Sequence, residues 1–331
     1  MRFVGTRRAL RGVPVVAAAL ACALLFACAA FAQTTTIVMA TLAETGSNSF
    51  VQQRALLDRF EAQNPDIKVE LQHIVDYGSQ VLVRIAGGSP PDLFWVGNNA
   101  PSLAAEGFLY DLTPLVERDQ YDLGELIPSL VEAYSYNGRV YGLPNDSAPH
   151  IFYYNRGLLE LAGIDPGTLD LTWESLIDAG KKTTVRRSDG EVVQWGVGPL
   201  YWNEMVMSWV WQNEGSLLNE AMTEPAVNTP EFAEAIEYLY NLSYEHQIAP
   251  PYSIANSPPP WERFLDENVA ILQQGAWLAS TMLRDADFDW GMLMPPKGKT
   301  RATGISYGGF AIPFNAEHPE EAWRLLKYMA S

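Results

Sequence analysis

From Thr36 the chain repeats one pattern: a short apolar run, a polar loop, an amphipathic stretch of helical period, and another apolar run. Ile37, Val38 and Met39 predict a buried strand, followed by the polar loop Glu44–Asn48. Ser49 with Gln52 reads as a capping box, and Phe50, Leu56, Leu57 and Phe60 recur at helical spacing up to Asn64-Pro65. Val69, Leu71, His73 and Val75 alternate with polar neighbours, the period of a half-buried strand. Asp76-Tyr77-Gly78 reads as a turn, Ser79 to Ala86 as a helix stopped by Gly87-Gly88, and Leu93 to Val96 as a third strand. This β-α-β-α-β order builds a mostly parallel sheet with helices on both faces. Open sheets of that kind bind ligands beyond the carboxyl ends of their strands. The loops at Glu44, Asp76 and Trp95–Asn99 all follow strands and are expected to converge on one side.

A second unit of the same character begins after Asp111-Leu112-Thr113-Pro114. Arg139–Leu143, Ile151–Tyr154, Val269–Leu272 and Phe288–Met294 read as strands. Thr172 is the expected N-cap of a helix opening at Trp173. Thr229 caps a second helix over Glu231–Leu242, with Pro230 in its first position and Phe232, Ile236 and Leu239 on one face. Ser257-Pro258-Pro259-Pro260 forms a rigid loop leading to Trp261. Ala322, Leu325, Leu326 and Met329 share the face of a last amphipathic helix, and a chain that stops there, at Ser331, is expected to be a C-terminally truncated piece.

The first thirty-odd residues change the picture of where the protein works. Arg2, Arg7, Arg8 and Arg11 precede an uncharged apolar run from Val13 to Ala32 that ends Ala30-Phe31-Ala32. A basic start, an apolar stretch and a small-x-small end are the signature of an export signal, with Gln33 as the first mature residue. A single membrane anchor is the alternative reading of the same run. Lipid attachment at Cys28 within Leu25-Phe26-Ala27-Cys28 and a twin-arginine signal at Arg7-Arg8 are variants of export. Both cysteines, Cys22 and Cys28, fall in this segment, so a chain beginning at Gln33 has no disulfide, thiol nucleophile or thiolate metal site. With 48% hydrophobic and 18% charged residues, disorder is excluded. The net charge of −17 without a basic stripe argues against nucleic acid and anionic membrane surfaces.

The four histidines, His73, His150, His246 and His318, show no ligand spacing and read as solitary side chains. No phosphate-cradling glycine loop, dinucleotide fingerprint or nucleophile elbow is present. Tyr153 and Tyr154 are strand neighbours pointing to opposite faces, which prevents joint chelation of a metal. Carboxylates are plentiful, yet no spacing singles out an acid/base pair. What remains is aromatic: 10 Trp, 15 Tyr and 13 Phe. Trp95, Trp195, Trp202, Trp277 and Tyr307 lie at expected strand ends or beside glycine and proline, where function concentrates. Trp173, Trp209 and Trp323 fall within helical patterns and are assigned to the core. A flat apolar ring with Asp, Glu or Asn nearby suits a sugar, whose C–H face packs on the ring while its hydroxyls need fixed donors and acceptors.

Several ordered segments carry a resemblance. Phe60-Glu61 with Asn64-Pro65-Asp66-Ile67-Lys68-Val69, and Gly87-Gly88-Ser89-Pro90-Pro91-Asp92, are similar to the first helix-strand units of the maltose-type extracellular solute-binding proteins of ABC importers. Gly138-Arg139-Val140-Tyr141-Gly142-Leu143-Pro144, then Tyr154-Asn155-Arg156, Ala162-Gly163-Ile164 and Thr172-Trp173-Glu174-Ser175-Leu176, continue the likeness. Gln274-Gly275-Ala276-Trp277, Phe288-Asp289-Trp290-Gly291 and Pro319-Glu320-Glu321-Ala322-Trp323 complete it. The resemblance implies a two-lobed periplasmic-binding-protein fold with a ligand cleft between lobes. Lobe one would be 33–147 with 291–331, and lobe two 148–290. It implies a non-enzymatic monomer that captures a carbohydrate outside the cytoplasmic membrane and delivers it to permease subunits by hinge closure, with no cofactor and no metal.

Carried over by position, the resemblance makes Trp95, Glu44 and Asn98 ligand contacts in lobe one, with Asp76 in the neighbouring loop. Trp277 matches the family's stacking tryptophan, and Trp202-Asn203 occupies a lobe-two segment that supplies polar and aromatic contacts. Asp146 stands near Ala148, where some members carry a glutamate, and Tyr307 with Gly308 completes the candidate set. Two other readings stay open. One is an exported carbohydrate-active enzyme using carboxylates among Glu44, Asp76 and Asp146. The other is a binding protein for a non-sugar solute such as a glycerophosphodiester, although acidic loops disfavour an anion.

Overall fold

The computed structural model describes residues 34–198, 203–251 and 258–330. The chain divides into two compact units, Met1–Leu143 with Phe310–Ser331, and Pro144–Gly309. Trp202, Ser257, the basic apolar start and Cys28 lie outside the described residues.

Unit one opens with β1 (Thr35–Thr41), α1 (Asn48–Gln63), β2 (Ile67–His73), α2 (Tyr77–Ala86) and β3 (Leu93–Val96). Both β2 and β3 pair with β1 in parallel, in register Ile37 to Val69 and Met39 to Leu93. Three details differ from the sequence reading. Ser47, not Ser49, caps α1, because it is the residue held in extended backbone with its hydroxyl accepting from Phe50 N–H. Strand β2 stops at His73, so Ile74 is buried while Val75 is 68% exposed. Helix α2 starts at Tyr77 rather than Ser79, because the backbone turns already at Asp76, whose φ of 49° is left-handed.

The unit continues through α3 (Ala100–Ala105), α4 (Thr113–Asp119), α5 (Pro128–Ala133), the hairpin of β4 (Ser135–Tyr136) and β5 (Arg139–Val140), and the first residues of β6 (Gly142–Asn155). The separate strands expected at Arg139–Leu143 and Ile151–Tyr154 are thus a short β5 and a long, continuous β6.

Unit two takes up β6 and adds α6 (Arg156–Leu161), α7 (Trp173–Thr183), β7 (Val185–Arg186), β8 (Val192–Val197) and α8 (Asn203–Gln212). It continues with α9 (Pro230–Tyr244), α10 (Pro260–Leu265), β9 (Val269–Gly275), α11 (Leu278–Asp285) and β10 (Trp290–Leu293). Its strands order β6-β9-β8-β7, with β10 also paired to β6. Every residue of β9 is buried, as a central strand covered on both faces should be. Thr172 caps α7 in a reciprocal box with Ser175. Helix α9 buries Ala235 and Leu242, with Tyr238 and Leu239 packed beside them, and leaves Ile236 39% exposed, so the face expected from Phe232, Ile236 and Leu239 is rotated.

Strand β6 is a wall between two apolar clusters. Phe152 and Tyr154 pack with Leu159, Leu176, Trp209 and Ile271, while Tyr153 packs with Phe264, Leu272 and Met282. The opposite orientation of Tyr153 and Tyr154 follows from the pleat. Trp195 lies inside β8 against the Tyr153 cluster, so it is a packing residue rather than a loop ring.

The chain leaves unit two within β11 (Ile305–Ala311) and ends in α12 (Pro319–Met329). Helix α12 buries Ala322, Trp323, Leu325, Leu326 and Met329 in the core of unit one. Trp323 Nε1–H donates to Asp119 Oδ2 at 2.9 Å, and Arg324 donates to Asp66 and Asn64 at 2.6 Å each. The divisions fall after Leu143 and Gly309, whereas the sequence reading placed them after Ser147 and Trp290. Antiparallel pairing of Trp290 with Asn155 and of Leu293 with Phe152 keeps β10 and the loop after it with unit two.

Candidate functional site

Within unit one, the parallel pairing of β1, β2 and β3 sets their carboxyl ends along one edge. Glu44 is exposed in the loop after β1, and Asp76 is exposed between β2 and α2. Asp76 caps α2 by its carbonyl, which accepts from Ser79 and Gln80 N–H, while its carboxylate makes no cap hydrogen bond. Trp95 is the third residue of β3, half-buried against the unit's core, and Asn98 is exposed in the turn that follows. Tyr77 ties this edge together. Its hydroxyl donates towards the carbonyls of Ala40 and Trp95, at 3.3 and 3.1 Å, and its ring meets Trp95 edge-on with centroids 6.5 Å apart. Burial pushes the Tyr77 phenol well above its usual range, so it stays a neutral donor. Sequence reading treated Tyr77 only as a turn residue; no local pattern announces a hydroxyl that joins two strand ends.

Within unit two, a second group forms where β6, β9 and β11 run side by side. Trp277 is 39% exposed and opens α11 just past the end of β9. Its ring lies directly over Gly275: a Cβ there would fall 1.9 Å from the indole, so only glycine accommodates this placement. Tyr153 Oη donates to the Gly275 and Ala276 carbonyls at 3.1 and 3.3 Å, fixing the turn from below. His150 stands against Trp277 with centroids 6.1 Å apart and planes at 90°. His150 is fully buried, its Nε2 lies 2.8 Å from Ser306 Oγ, and its backbone N–H donates to Gly304 O at 2.9 Å.

Further along the same strands, Gly308 N–H donates to the Asp146 carboxylate, which lowers that carboxyl's pKa against a larger upward push from desolvation. The net effect is a carboxyl held above its ordinary value. The half-buried Tyr307 phenol is raised by burial and then by the Glu204 carboxylate on α8. Asn203 is the first residue of α8. The structure therefore sets Asp146 beside Gly308 and, four residues along β6, His150 beside Trp277, while Glu44, Asp76, Trp95 and Asn98 lie at or just past the carboxyl ends of β1, β2 and β3. His150, Ser306 and Glu204 were missed by sequence reading. The available signal for His150 was a histidine inside an apolar strand run, which is equally the mark of a core histidine.

Within unit two, a partly exposed indole with a carboxyl and a phenol on the neighbouring strands is the chemistry that suits a neutral polyhydroxylated compound. Among the described residues there is no cluster of His, Cys, Asp or Glu that could hold a metal ion, and no helix long and apolar enough to cross a membrane.

Burial alone lowers the His150 pKa below 6.5. Between 6.5 and the folded value, the unfolded chain takes up a proton that the folded chain refuses. Stability is therefore expected to fall as pH drops below about 6.5 and to level off beneath the folded pKa. Urea midpoints measured from pH 7.5 to 5 should show this slope reduced in His150→Gln, and equal slopes would refute it.

Comparison with known proteins places these observations. Residues 46–331 match the model of the family described as bacterial extracellular solute-binding protein. The chain is 26% identical over 250 residues to an arabinooligosaccharide-binding protein of Halalkalibacterium halodurans, covering 70% of this chain and 55% of that one. It is 21% identical over 285 residues to a maltotriose-binding protein of Pyrococcus abyssi, covering 84% and 59%. The chain thus spans a little over half the length of these relatives. A solved ABC substrate-binding protein from Listeria monocytogenes, in complex with cycloalternan, superposes with a TM-score of 0.83 at 29% identity, over 90% of this chain and 76% of that one. With a match over nearly all of its described length, the chain belongs to the bacterial extracellular solute-binding protein family.

Proposed function

We propose that this protein captures a carbohydrate outside the cytoplasmic membrane and delivers it to the permease of an ABC importer. The observation that carries the reading is the Trp277 indole, 39% exposed, seated on Gly275 and set against His150. Asp146 and Tyr307, on β6 and β11, are proposed to add polar contacts. Trp95 and its polar neighbours Glu44, Asp76 and Asn98 are proposed to add to ligand affinity from unit one, and Trp202 and Asn203 from unit two. Under this reading the hinge lies in the two crossings between units, within β6 and within β11. Ligand drives closure only by binding the closed state better than the open one. The relatives' named ligands, arabinooligosaccharides and maltotriose, support an oligosaccharide as the ligand class. The basic start, the apolar run and Ala30-Phe31-Ala32 support export, with cleavage before Gln33 or tethering at Cys28.

A thermal-shift panel tests the reading. Arabinotriose, maltotriose, their monosaccharides and sn-glycerol 3-phosphate would each be titrated against the purified protein. A saccharide at 100 times its Kd should add about 2.7 kcal/mol of stability. Saturable stabilisation by a saccharide that is recovered chemically intact is the expected result. Stabilisation by glycerol phosphate alone would replace the ligand class. Cleavage of the saccharide, lost in Glu44→Gln or Asp146→Asn, would replace binding with catalysis.

A further inference from the structure

His150 is difficult to explain as core filler. It is fully buried, yet its Nδ1 has no hydrogen-bond partner among the described residues. An apolar side chain of similar size would occupy the position without that desolvation cost. The tautomer that leaves no buried N–H unpaired carries its proton on Nε2 and donates to Ser306 Oγ. That bond sets the plane of the ring. Nδ1 then faces Gly304, where a Cβ would come within 3.1 Å, so the imidazole is held closely on that side as well. The surrounding backbone is equally tied down. Thr303 Oγ1 donates to His150 O at 2.6 Å, Ser208 Oγ accepts from Gly304 N–H at 2.9 Å, and Ala276 N–H donates to Pro149 O at 3.0 Å. Cross-strand register sets His150 opposite Gly275, the residue on which the Trp277 indole rests.

We propose that His150 is the positioning residue for Trp277: its ring, oriented by Ser306 and backed by Gly304, meets the indole at a right angle and holds the exposed face in one orientation for a ligand. The indole has Gly275 beneath it and His150 against it, and rotation about its side-chain bonds away from this seat would give up the contact with His150. Perpendicular aromatic pairs are favourable arrangements, and a ring already fixed before binding loses less freedom when ligand arrives. The inference deepens the carbohydrate reading and rests on it for the ligand, though not for the ring's order.

The test separates the ring from the hydrogen bond. Full-length protein labelled with 5-fluorotryptophan is examined by 19F NMR, the Trp277 resonance being the one lost in Trp277→Phe. His150→Gln keeps a group able to reach Ser306 but removes the ring, whereas His150→Phe keeps a ring against the indole. In His150→Gln the Trp277 resonance should move towards that of free tryptophan. Affinity for whichever of arabinotriose and maltotriose binds the wild type should fall about 2- to 10-fold, the range of one aromatic pair. In His150→Phe both should stay close to wild type. The proposal fails if His150→Gln leaves the resonance and affinity unchanged, or if His150→Phe moves them as far. Should His150→Gln not fold, His150→Leu, which fills space without a flat ring, is read in the same way. The resonance is recorded without ligand, so it decides the positioning role even if no saccharide binds, an outcome that would remove the carbohydrate reading instead.

Discussion

Trp209→Ala is expected to destabilise unit two by about 3–5 kcal/mol, towards the upper end of that range. The side chain is fully buried, with its ring stacked on Tyr238 at 5.4 Å, tilted against Trp173 at 5.9 Å and edge-on to Phe152 at 5.9 Å. Truncation removes three ring contacts and leaves a cavity bounded by side chains on β6, α7 and α9. A polar loss adds to it. Trp209 Nε1–H donates to Gln273 Oε1 at 2.8 Å, and Gln273 Nε2 has no partner among the described residues. The variant therefore leaves the amide oxygen unpaired as well, and one newly unpaired buried group costs about 1–3 kcal/mol. Trp211, two residues along the same helix and 40% exposed, is the internal control. Trp211→Ala should stay within about 1 kcal/mol of wild type. Urea unfolding followed by circular dichroism checks the pair, and similar midpoints for the two variants would refute this account of the core.

The elements most legible in the sequence were those whose signal is local. Leu93–Val96 is a four-residue apolar run between Pro90-Pro91 and Gly97, and it is β3 to the residue. Thr172 before Trp173 and Thr229 before Pro230 cap their helices as hydroxyls at such positions do. Errors arose where two local solutions compete and tertiary packing selects one. Ser47 and Ser49 can each cap a helix; the chain's exit from β1 gives the extended backbone to Ser47. On α9, the stripe Phe232, Ile236, Leu239 is a valid apolar face, but the neighbouring stripe holds Tyr238, whose hydroxyl donates to Trp173 O at 2.7 Å and whose ring stacks on Trp173 at 4.2 Å. That contact orients the helix, and Ile236 is left outside.

The candidate rings were singled out for a related reason. Trp95 before Gly97 and Trp277 after Gly275 stand where the backbone changes direction, and a large apolar residue there invites a functional reading. Trp195 carried the same signal beside Gly196 and is nevertheless packed against the Tyr153 cluster. What separates Trp277 from Trp195 is strand register. His150 pairs with Gly275 across 125 positions of chain, and the residues between them supply no periodic trace of that pairing. The contact of His150 with Trp277 and the Tyr77 hydroxyl's bonds to two strand ends both arise from such long-range placement.

Gly275→Ala should weaken saccharide binding about as much as Trp277→Ala, by roughly 10- to 100-fold, the loss expected when about 1.5–3 kcal/mol of ring burial is forfeited. Gly275 does not have a left-handed φ, so alanine is allowed by its own backbone. The obstacle is the indole: the new methyl would lie 1.9 Å from one ring carbon and 2.1 Å from two others. No relaxation of a few tenths of an ångström removes that overlap, and the turn below is held by the Tyr153 hydroxyl. The ring must leave its seat and lose its contact with His150. Because both substitutions act through one side chain, Gly275→Ala with Trp277→Ala should bind no more weakly than Trp277→Ala alone, a coupling nearly equal to either single effect. Calorimetric titration of the two single variants and the double variant measures it. Additive losses, or wild-type affinity in Gly275→Ala, would show that the ligand does not use the indole in the orientation seen here.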